Sequence, residues 1–424
     1  MTPGRSPARP AVLGAILALW SILASAADPA PKPSVAAAAR LQQVEATAGH
    51  DGAEVIAPAL ELAAALLAEG DAGGTAGLLE RAGALLDRYP DQDRALRLRQ
   101  LVLQGDLFMR LGRLADSNEV LYAALELARS TPSISPLEQA NVLERLAANE
   151  GRRGRITRAS AYVGDALELR GKHFGKDSPE YAAALLRSAD WYRFTGNIRQ
   201  EIAAEKQALA ILEARFGPRD SRLAIPLIRL ATARMAQRAQ RNDAVEAIQR
   251  AGGLDFGPGP ENAFIRAEIL ATQADLHVVF GEPADSTPLY GQAWQAIAGH
   301  AQLGGPAANR YFARVRQLYV SAPDIIANLG TIDLGYTVTA VGTVDDVRIL
   351  RNAVAATDGA SEAVRSEAGA AMWAAMRRSR YRPRVVDGTP VVTADLSFSS
   401  EFCLDPTQFL PICSGRADAS AVPR

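Results

Sequence analysis

The chain has 424 residues, of which 48% are hydrophobic and 22% charged, and its 46 basic and 47 acidic side chains leave a formal net charge of −1. The hydrophobic share excludes wholesale disorder, and the balanced charge gives no global reason to expect nucleic acid as a partner. The length suits two or three ordinary domains, or one long array followed by a small domain.

The N-terminus has the pattern of an export signal. Arg5 and Arg9 are followed by an uncharged run from Ala11 to Leu23 and by the small residues Ala24-Ser25-Ala26. A positive region, a short apolar stretch and a small-x-small cleavage pattern are typical of a signal peptide, which we predict for residues 1–26. The protein is therefore expected in the periplasm.

An uncleaved inner-membrane anchor is the alternative interpretation of this segment. A spanning helix needs about 20 apolar residues, whereas the stretch from Ala11 to Ala27 has 17 residues that include two serines. Contact with the membrane is expected only if this segment stays uncleaved. Residues 27–39, which are rich in Pro and Ala, are predicted to form an extended linker before the first helix.

A 42-residue period runs through the middle of the chain. It relates three glycines and the Ala-Leu pairs that begin twelve residues after each glycine: Gly112, Gly154 and Gly196, then Ala124, Ala166 and Ala208. A fixed period of this length predicts stacked helical hairpins.

One period divides into two helices. Pro179 lies at the start of the first helix, because proline is tolerated in a first turn, and Gly196 ends that helix. The second helix is predicted from about Ile198 to Arg215, and Phe216-Gly217-Pro218 stops it.

This helix-turn-helix unit, with its glycine turn and its Ala-Leu pair followed by Phe-Gly, resembles the tetratricopeptide repeats of kinesin-light-chain type over about residues 98–218. The resemblance implies an all-α helical-hairpin solenoid, which we extend over residues 40–315, and a surface that binds a protein or peptide. It also implies that the alanine of each Ala-Leu pair packs between helices. Glu201 and Glu205 depart from the family pattern, which usually buries a small and an aromatic residue at these positions.

The ligand-facing positions of this family lie on the first helix of each unit. Carried over by the glycine register, they fall on Arg99, Asp106, Arg110, Asn141, Glu144, Arg152, Asp190 and Arg193. Arginine at such a position could pair bidentately with a carboxylate of the partner. The alternative is a solvated polar face that binds nothing.

A different pattern begins after the repeats. Alternating apolar and polar residues from Thr331 to Leu350, divided by Gly342-Thr343, predict a β-hairpin. Residues 361–379 carry an apolar stripe of helical period, and a last strand is predicted from about Pro390 to Phe402. Together these elements predict a small α+β domain over residues 321–404.

The string Tyr-x-Pro-x-x-x-Asp-Gly-x-Pro-Val, with the order of elements around it, resembles the C-terminal domain of TonB-type energy transducers. The matching residues are Tyr381, Pro383, Asp387, Gly388, Pro390 and Val391. The resemblance implies antiparallel strands with one packed helix, which capture an extended segment of a TonB-dependent outer-membrane receptor at a sheet edge. This chain departs from the family in having no histidine in its N-terminal apolar segment and in carrying helical repeats where a long Pro-rich spacer is usual.

The only two cysteines, Cys403 and Cys413, lie close to the C-terminus, and residues 405–424 are predicted to form a tail. Two cysteines ten residues apart in an exported chain favour a disulfide over a metal site. Two unpaired thiols are the alternative.

The sequence favours binding over catalysis. It has no histidine-rich metal spacing, no Gly-rich phosphate loop after a strand and no Gly-x-Ser-x-Gly nucleophile elbow. We therefore predict a periplasmic scaffold for protein partners, with no catalytic residue, metal, cofactor or nucleic-acid partner. A membrane-anchored TonB-type transducer is the alternative, an enzyme with a diverged site is a third, and the oligomeric state is left open.

Overall fold

The computed structural model describes residues 32–237, 240–319, 330–354 and 361–402. The predicted signal peptide, Cys403, Cys413 and the predicted tail lie outside the described residues. The chain divides into two compact units, the first of which ends at Ala184 while the second begins at Leu185.

Fifteen α-helices are described, and most of them follow one another as hairpins with short turns. The helices that lie wholly in the first unit are α1 (Pro33–Ala48), α2 (Ile56–Glu69), α3 (Ala72–Arg88), α4 (Arg94–Arg110), α5 (Leu114–Ser130), α6 (Pro136–Arg152) and α7 (Ile156–Phe174). The division falls within α8 (Pro179–Phe194), which is followed by α9 (Ile198–Phe216), α10 (Ala224–Ala236), α11 (Arg241–Gly252), α12 (Pro260–Phe280), α13 (Ser286–Ala298) and α14 (Gly304–Tyr311). The predicted linker of residues 27–39 is therefore too long, because α1 begins at Pro33.

Three helix turns follow the 42-residue period. Helices α4, α6 and α8 each end shortly before a glycine with positive φ, namely Gly112 at 74°, Gly154 at 75° and Gly196 at 72°. Outside the adjoining chain, no heavy atom lies within 4 Å of the position that a Cβ would take at these glycines. The left-handed backbone, and not crowding, therefore requires glycine at the turns.

A reciprocal cap fixes the start of α6. The Ser135 Oγ accepts a hydrogen bond from the Glu138 backbone N–H at 3.3 Å, and the Glu138 carboxylate accepts one from the Ser135 N–H at 2.9 Å. Pro136 occupies the first turn, where its missing N–H costs nothing. The cap satisfies N–H groups that a helix start leaves without intrahelical partners.

The cores of the repeats are rich in alanine. Ala124 and Ala166 have exposures of 0% and 2%, and they lie in a cluster with Leu121 and Leu146. In the second unit, the third alanine of the period, Ala208, is also buried. All three occupy packed positions, where a larger side chain would have to displace its neighbours.

The second unit ends in a small module of strands and one helix. Its strands are β1 (Arg316–Tyr319), β2 (Gly330–Val338), β3 (Val344–Val354), β4 (Arg380–Arg382), β5 (Arg384–Val386), β6 (Thr389–Val391) and β7 (Thr393–Phe402), and α15 (Ser361–Arg378) lies between β3 and β4. The order β3-β2-β7 makes an antiparallel sheet, in which Leu334 lies opposite Ile349 on one side and Phe398 on the other. Strand β1 pairs with β4, and β5 pairs with β6.

The module has its own core and also shares one with the last repeat helices. Ile332, Leu334 and Met372 pack together between the sheet and α15. Val385 of β5 instead joins a cluster with Tyr290 of α13 and other side chains of α12–α14. The module is therefore continuous with the last repeat helices through a shared apolar core.

The hairpin predicted around Gly342 is confirmed, because β2 and β3 are antiparallel and Gly342 has a φ of 78°. The helix predicted for residues 361–379 is α15, and the predicted last strand corresponds to β6 and β7, which Val392 separates. The sequence does not predict β1 and β4, because strands of four and three residues are too short to show an alternating pattern.

Candidate functional site

In the first unit, three of the predicted partner-binding residues are joined to other helices by ion pairs and hydrogen bonds. The Arg145 Nε donates to both carboxylate oxygens of Asp106 at 3.0 and 2.9 Å, which links α6 to α4. Arg170 of α7 donates to both carboxylate oxygens of Glu144 at 2.9 and 3.1 Å, and to Asn141 Oδ1 at 2.7 Å. Burial raises the pKa of Asp106, although Arg145 opposes the shift.

The other three predicted residues of this unit, Arg99, Arg110 and Arg152, are exposed. Arg152 Nη1 donates to the Met109 carbonyl at 3.0 Å, at the end of α4. Within the described ranges, Arg99 and Arg110 make neither a hydrogen bond nor an ion pair. None of the three arginines forms an ion pair with a carboxylate in the described ranges, although the charge of Arg110 favours the ionised form of Asp106.

Asp190 and Arg193, the predicted residues of the second unit, belong to a largely buried charge cluster. Arg193 donates from Nε to Glu201 at 2.6 Å and from Nη2 to Glu205 at 2.9 Å. Arg229 of α10 contacts Glu205 at 3.1 Å and Asp190 at 2.7 Å. The two glutamates that depart from the repeat pattern are thus buried carboxyl groups hydrogen-bonded to arginine.

Glu205 is the most perturbed carboxyl of this cluster. Its side chain has an exposure of 0%, and in the described part of the chain its Oε2 has no hydrogen-bond partner. Burial raises the pKa of Glu205 to about 7, although Arg193 and Arg229 favour the charged form. Three carboxylates share two arginines here, so protonation of one carboxyl balances the charge of the cluster.

Sequence reasoning missed Arg145 and Arg229, although the period contains a signal for both. Arg145, Arg187 and Arg229 are spaced by 42 residues. The ion pair of Asp106 with Arg145 recurs two periods later as that of Asp190 with Arg229. Arginines that recur every 42 residues on the first helix of each repeat therefore indicate that Asp106 and Asp190 are neutralised within the protein.

The C-terminal motif begins at Tyr381, which is buried against the hairpin turn. Its ring centroid lies 5.5 Å from that of Tyr336, and its backbone N–H donates to the Gly342 carbonyl at 2.9 Å. A Cβ at Gly342 would lie 2.2 Å from the Tyr381 carbonyl oxygen and 2.9 Å from Val278 of α12. Only glycine therefore allows the hairpin turn to sit between the motif and α12.

Asp387 and Gly388 form a turn that α13 and α14 hold in place. Asn309 Nδ2 donates to Asp387 Oδ1 at 2.8 Å, and the Asp387 backbone N–H donates to Asn309 Oδ1 at 3.0 Å. The Trp294 indole N–H donates to the same Asn309 oxygen at 2.7 Å. The remaining motif residues are the buried Pro383 and Pro390 and the half-buried Val391. The motif is thus largely engaged by the chain's own helices.

Arg382, which the sequence analysis does not single out, is the centre of a second buried charge cluster. Its Nε donates to Asp275 at 3.0 and 3.1 Å. Its Nη1 and Nη2 donate to Glu268 at 2.8 and 3.1 Å. Both carboxylates belong to α12, so this one side chain ties β4 of the module to the repeat helices.

Further donors complete the coordination of the two carboxylates. The Tyr290 hydroxyl donates to Asp275 at 2.8 Å, while Tyr311 and Arg316 donate to Glu268. Burial alone would raise the pKa of Glu268, but Arg382 and Arg316 hold it well below its ordinary value of 4.5. Glu268 is therefore charged at neutral pH, and both carboxylates accept several hydrogen bonds.

Strands β3 and β7 are the edges of the described sheet, and they differ. On β3, Asp346 has a φ of 46° in a bulge, and the Trp373 indole N–H donates to the Val347 carbonyl at 2.9 Å. Strand β7 pairs with β2 without interruption from Leu396 to Phe402, and no described strand lies on its outer side. Helix α15 thus protects the β3 edge through Trp373. Strand β7 has a bulge of its own at Asp395, whose φ is 54°, and is regular beyond it from Leu396 to Phe402.

His277, Glu282 and Asp285 place three possible metal-ligand atoms within 4.8 Å of one another. Arg241 Nη2 donates to both Glu282 oxygens at 2.8 and 2.7 Å, and His277 Nδ1 lies 3.2 Å from the same carboxylate. The ion pair with Arg241 already accounts for this arrangement.

Residues 138–214 match the family described as Tetratricopeptide repeat. This segment carries tetratricopeptide repeats. The match begins in α6 and ends in α9, so it includes the tetratricopeptide-repeat turns at Gly154 and Gly196. No curated protein matches the chain.

Three solved structures are similar to parts of the chain. BtubC (BKLC) from P. vanneervenii is 21% identical, with a TM-score of 0.44, over 52% of this chain and 88% of that one. A putative kinesin light chain from Podosopora anserina is 18% identical, with a TM-score of 0.39, over 48% of this chain and 97% of that one. NprR in complex with its cognate peptide NprX is 14% identical, with a TM-score of 0.36, over 70% of this chain and 81% of that one.

Within the described ranges, neither the tetratricopeptide repeats nor the module contains a helix that is long and apolar enough to cross a membrane.

Proposed function

We propose that the chain is a protein-interaction scaffold, in which the tetratricopeptide repeats and the C-terminal module each bind a protein partner. The observation that carries this proposal is the outer side of β7, on which no described strand lies, at the opposite edge of the sheet from the β3 edge that Trp373 contacts. An unpaired strand edge presents a row of backbone donors and acceptors to an incoming strand.

A partner strand on β7 would extend both the hydrogen-bonded sheet and the core. Backbone pairing is available from Leu396 to Phe402, where β7 itself is regular. Leu396 and Phe398 are half-buried against the module core, whereas Ser397 between them is exposed. A segment with apolar residues at every second position would place them beside Leu396 and Phe398.

The repeats would use a different chemistry. Arg99, Arg110 and Arg152 are exposed cations of the first unit that form no ion pair with a described carboxylate, and they favour a partner that carries carboxylates. Asp106, Glu144 and Asn141 instead serve the packing of the helices. A scaffold of this kind has no catalytic step and requires no cofactor.

The partner and location are part of the proposal. The resemblance of the segment from Tyr381 to Val391 to TonB-type C-terminal domains supports an outer-membrane receptor as the partner of β7. The signal-like N-terminus supports a periplasmic location. N-terminal sequencing tests this, with a start near Ala27 expected in the soluble periplasmic fraction. Retention of the first 26 residues in the membrane fraction would favour the anchored transducer instead.

Site-specific photo-crosslinking tests the edge. A photoreactive phenylalanine analogue is placed at Ser397 in β7 and, as the matched control, at exposed Ala353 in β3. We expect an adduct with an outer-membrane or other envelope protein from position 397 and none from position 353. Equal adducts from both positions, or none from position 397, would contradict strand addition at β7.

A further inference from the structure

A cleft of about 700 Å³ lies between α12 and the loop that precedes it. Four of its lining residues follow the spacing i, i+3, i+4, i+7 along α12 and so share one face of that helix: Arg266, Ile269, Leu270 and Gln273. Leu254, Asp255 and Phe256, with Gly252 and Gly257, complete the lining. The volume lies within the range of about 300–1,000 Å³ that is usual for small-molecule sites, and polar and apolar groups share the lining about equally.

Arg266 is the cation of this cleft, and the loop holds it in position. Its Nη2 donates to the Phe256 carbonyl at 3.1 Å and to the Gly257 carbonyl at 2.8 Å. The guanidinium carbon lies 5.6 Å from the centroid of the Phe256 ring. The donors on Nε and Nη1 make no hydrogen bond within the described ranges, so a fixed guanidinium retains donors for an anion.

The carboxylate in the cleft lining does not neutralise Arg266. Asp255 accepts two hydrogen bonds from Arg219, at 2.8 and 3.2 Å. Arg266 is bound only to neutral carbonyl oxygens, and Ile269 and Leu270 lie on the same helix face. The cleft therefore combines an uncompensated positive charge with an apolar surface.

We infer that this cleft binds a small amphipathic carboxylate, with the carboxylate on Arg266 and the apolar body against Ile269 and Leu270. A medium-chain fatty acid and the free C-terminal residue of a peptide both supply this chemistry. At about 100° per residue, Glu268 and Asp275 lie on the opposite side of α12. Substitutions in the cleft therefore leave the Arg382 cluster unaltered, and the site is independent of the β7 edge.

Calorimetric titration of the full chain with four probes tests the inference. Octanoate is compared with octanamide, and N-acetyl-alanyl-leucine is compared with its C-terminal amide, so that each pair differs only in charge. At least one acid is expected to bind about tenfold or more tightly than its amide, because hydrogen bonds to charged groups are the stronger ones. The pair that shows this preference identifies the source of the ligand.

Three variants locate the site. Arg266→Met is expected to bind acid and amide equally, and Gln273→Trp, which fills the cleft without removing Arg266, is expected to bind neither. Arg250→Met is the matched control: Arg250 is an exposed arginine that pairs with Glu213 at 2.9 Å outside the cleft, and its loss should change nothing. Circular dichroism melting checks that each variant is folded. Equal affinity of wild-type protein for acids and amides, no saturable binding, or unchanged binding by Gln273→Trp would overturn the inference.

Discussion

Replacing Arg382 by methionine removes the one cation that bridges two buried carboxylates of α12. The side chain of Arg382 has an exposure of 6%, and those of Glu268 and Asp275 have exposures of 12% and 2%. Methionine fills a similar volume but donates no hydrogen bond. Glu268 keeps Arg316 and Tyr311 as donors, whereas Asp275 keeps only the Tyr290 hydroxyl among its hydrogen bonds in the described region.

The expected loss of stability follows from the unequal number of donors left to Glu268 and Asp275. Breaking a buried ion pair by removing one partner costs about 3–5 kcal/mol, because the other charge stays buried without compensation. Arg382→Met should lower the free energy of unfolding by about this amount. The double variant Arg382→Met/Asp275→Asn, which removes the stranded charge, should recover at least about 1 kcal/mol of the loss.

Urea denaturation followed by circular dichroism and tryptophan fluorescence measures these differences. Arg377→Met is the matched control, because Arg377 pairs with Asp345 at 2.8 Å at an exposed site of the same module and should cost under about 1 kcal/mol. A loss below about 1 kcal/mol in Arg382→Met, or a double variant as unstable as the single one, would refute the reasoning.

The Arg382 cluster also makes the stability of the protein depend on pH in a predictable direction. Because the pKa of Glu268 lies well below its ordinary value of 4.5, its contribution to stability is complete above that value and is lost as the pH falls below it. Arg382→Met raises the pKa of Glu268 and should therefore flatten the acid limb of a stability profile. An unchanged acid limb would contradict the assigned role of Arg382.

Other predictions concern the repeats. Burial raises the pKa of Glu205 from 4.5 to about 7, so the folded protein loses stability as the pH rises between these values. Glu205→Gln should show no such loss, and it should melt at a higher temperature than wild type at pH 8. A lower melting temperature of Glu205→Gln at pH 8 would contradict this. Ala166→Phe should lower the free energy of unfolding by about 1–3 kcal/mol through overpacking, as measured by urea denaturation. Glu168→Phe, at an exposed site of the same helix, should lower it by under about 0.5 kcal/mol. Equal losses would show that the helical register of α7 is wrong. Gly154→Ala, at a φ of 75°, should cost about 1–2 kcal/mol. Gly164→Ala, within α7 and with open space around it, should raise the free energy of unfolding by about 0.5–1 kcal/mol. If both glycine substitutions stabilised the protein, the turn at Gly154 would not be strained.

The repeats were largely predictable, because their signals are local. A glycine turn needs only its own φ, and a buried alanine recurs with each period, so Gly112 and Ala124 could be placed from spacing alone. The partners of Asp106 and Asp190 could not be placed in the same way. Their arginines come 39 residues later, and a family template that assigns these carboxylates to a ligand gives no reason to look for a pair within the chain.

In the module, the sequence predicts the long elements and misses the contacts that join them to the repeats. Alternation marks β2, β3 and β7, but in the sequence Arg382 is indistinguishable from the other arginines of the run between residues 377 and 384. Its buried position depends on α12, more than a hundred residues earlier in the chain. The cleft beside Arg266 is likewise invisible in the sequence, because the loop carbonyls that position the guanidinium have no side-chain signature.

Strand β1 has a consequence for how this protein can have arisen. It lies between the last repeat helix and β2, and its partner β4 carries Arg382, whose carboxylate partners belong to α12. A fragment that starts at residue 321 would lack β1, Glu268 and Asp275, and would bring a buried guanidinium without its counter-charges. Recombination that moved this module into another gene would have to carry α12 with it, so the last repeat and the module are expected to be inherited together.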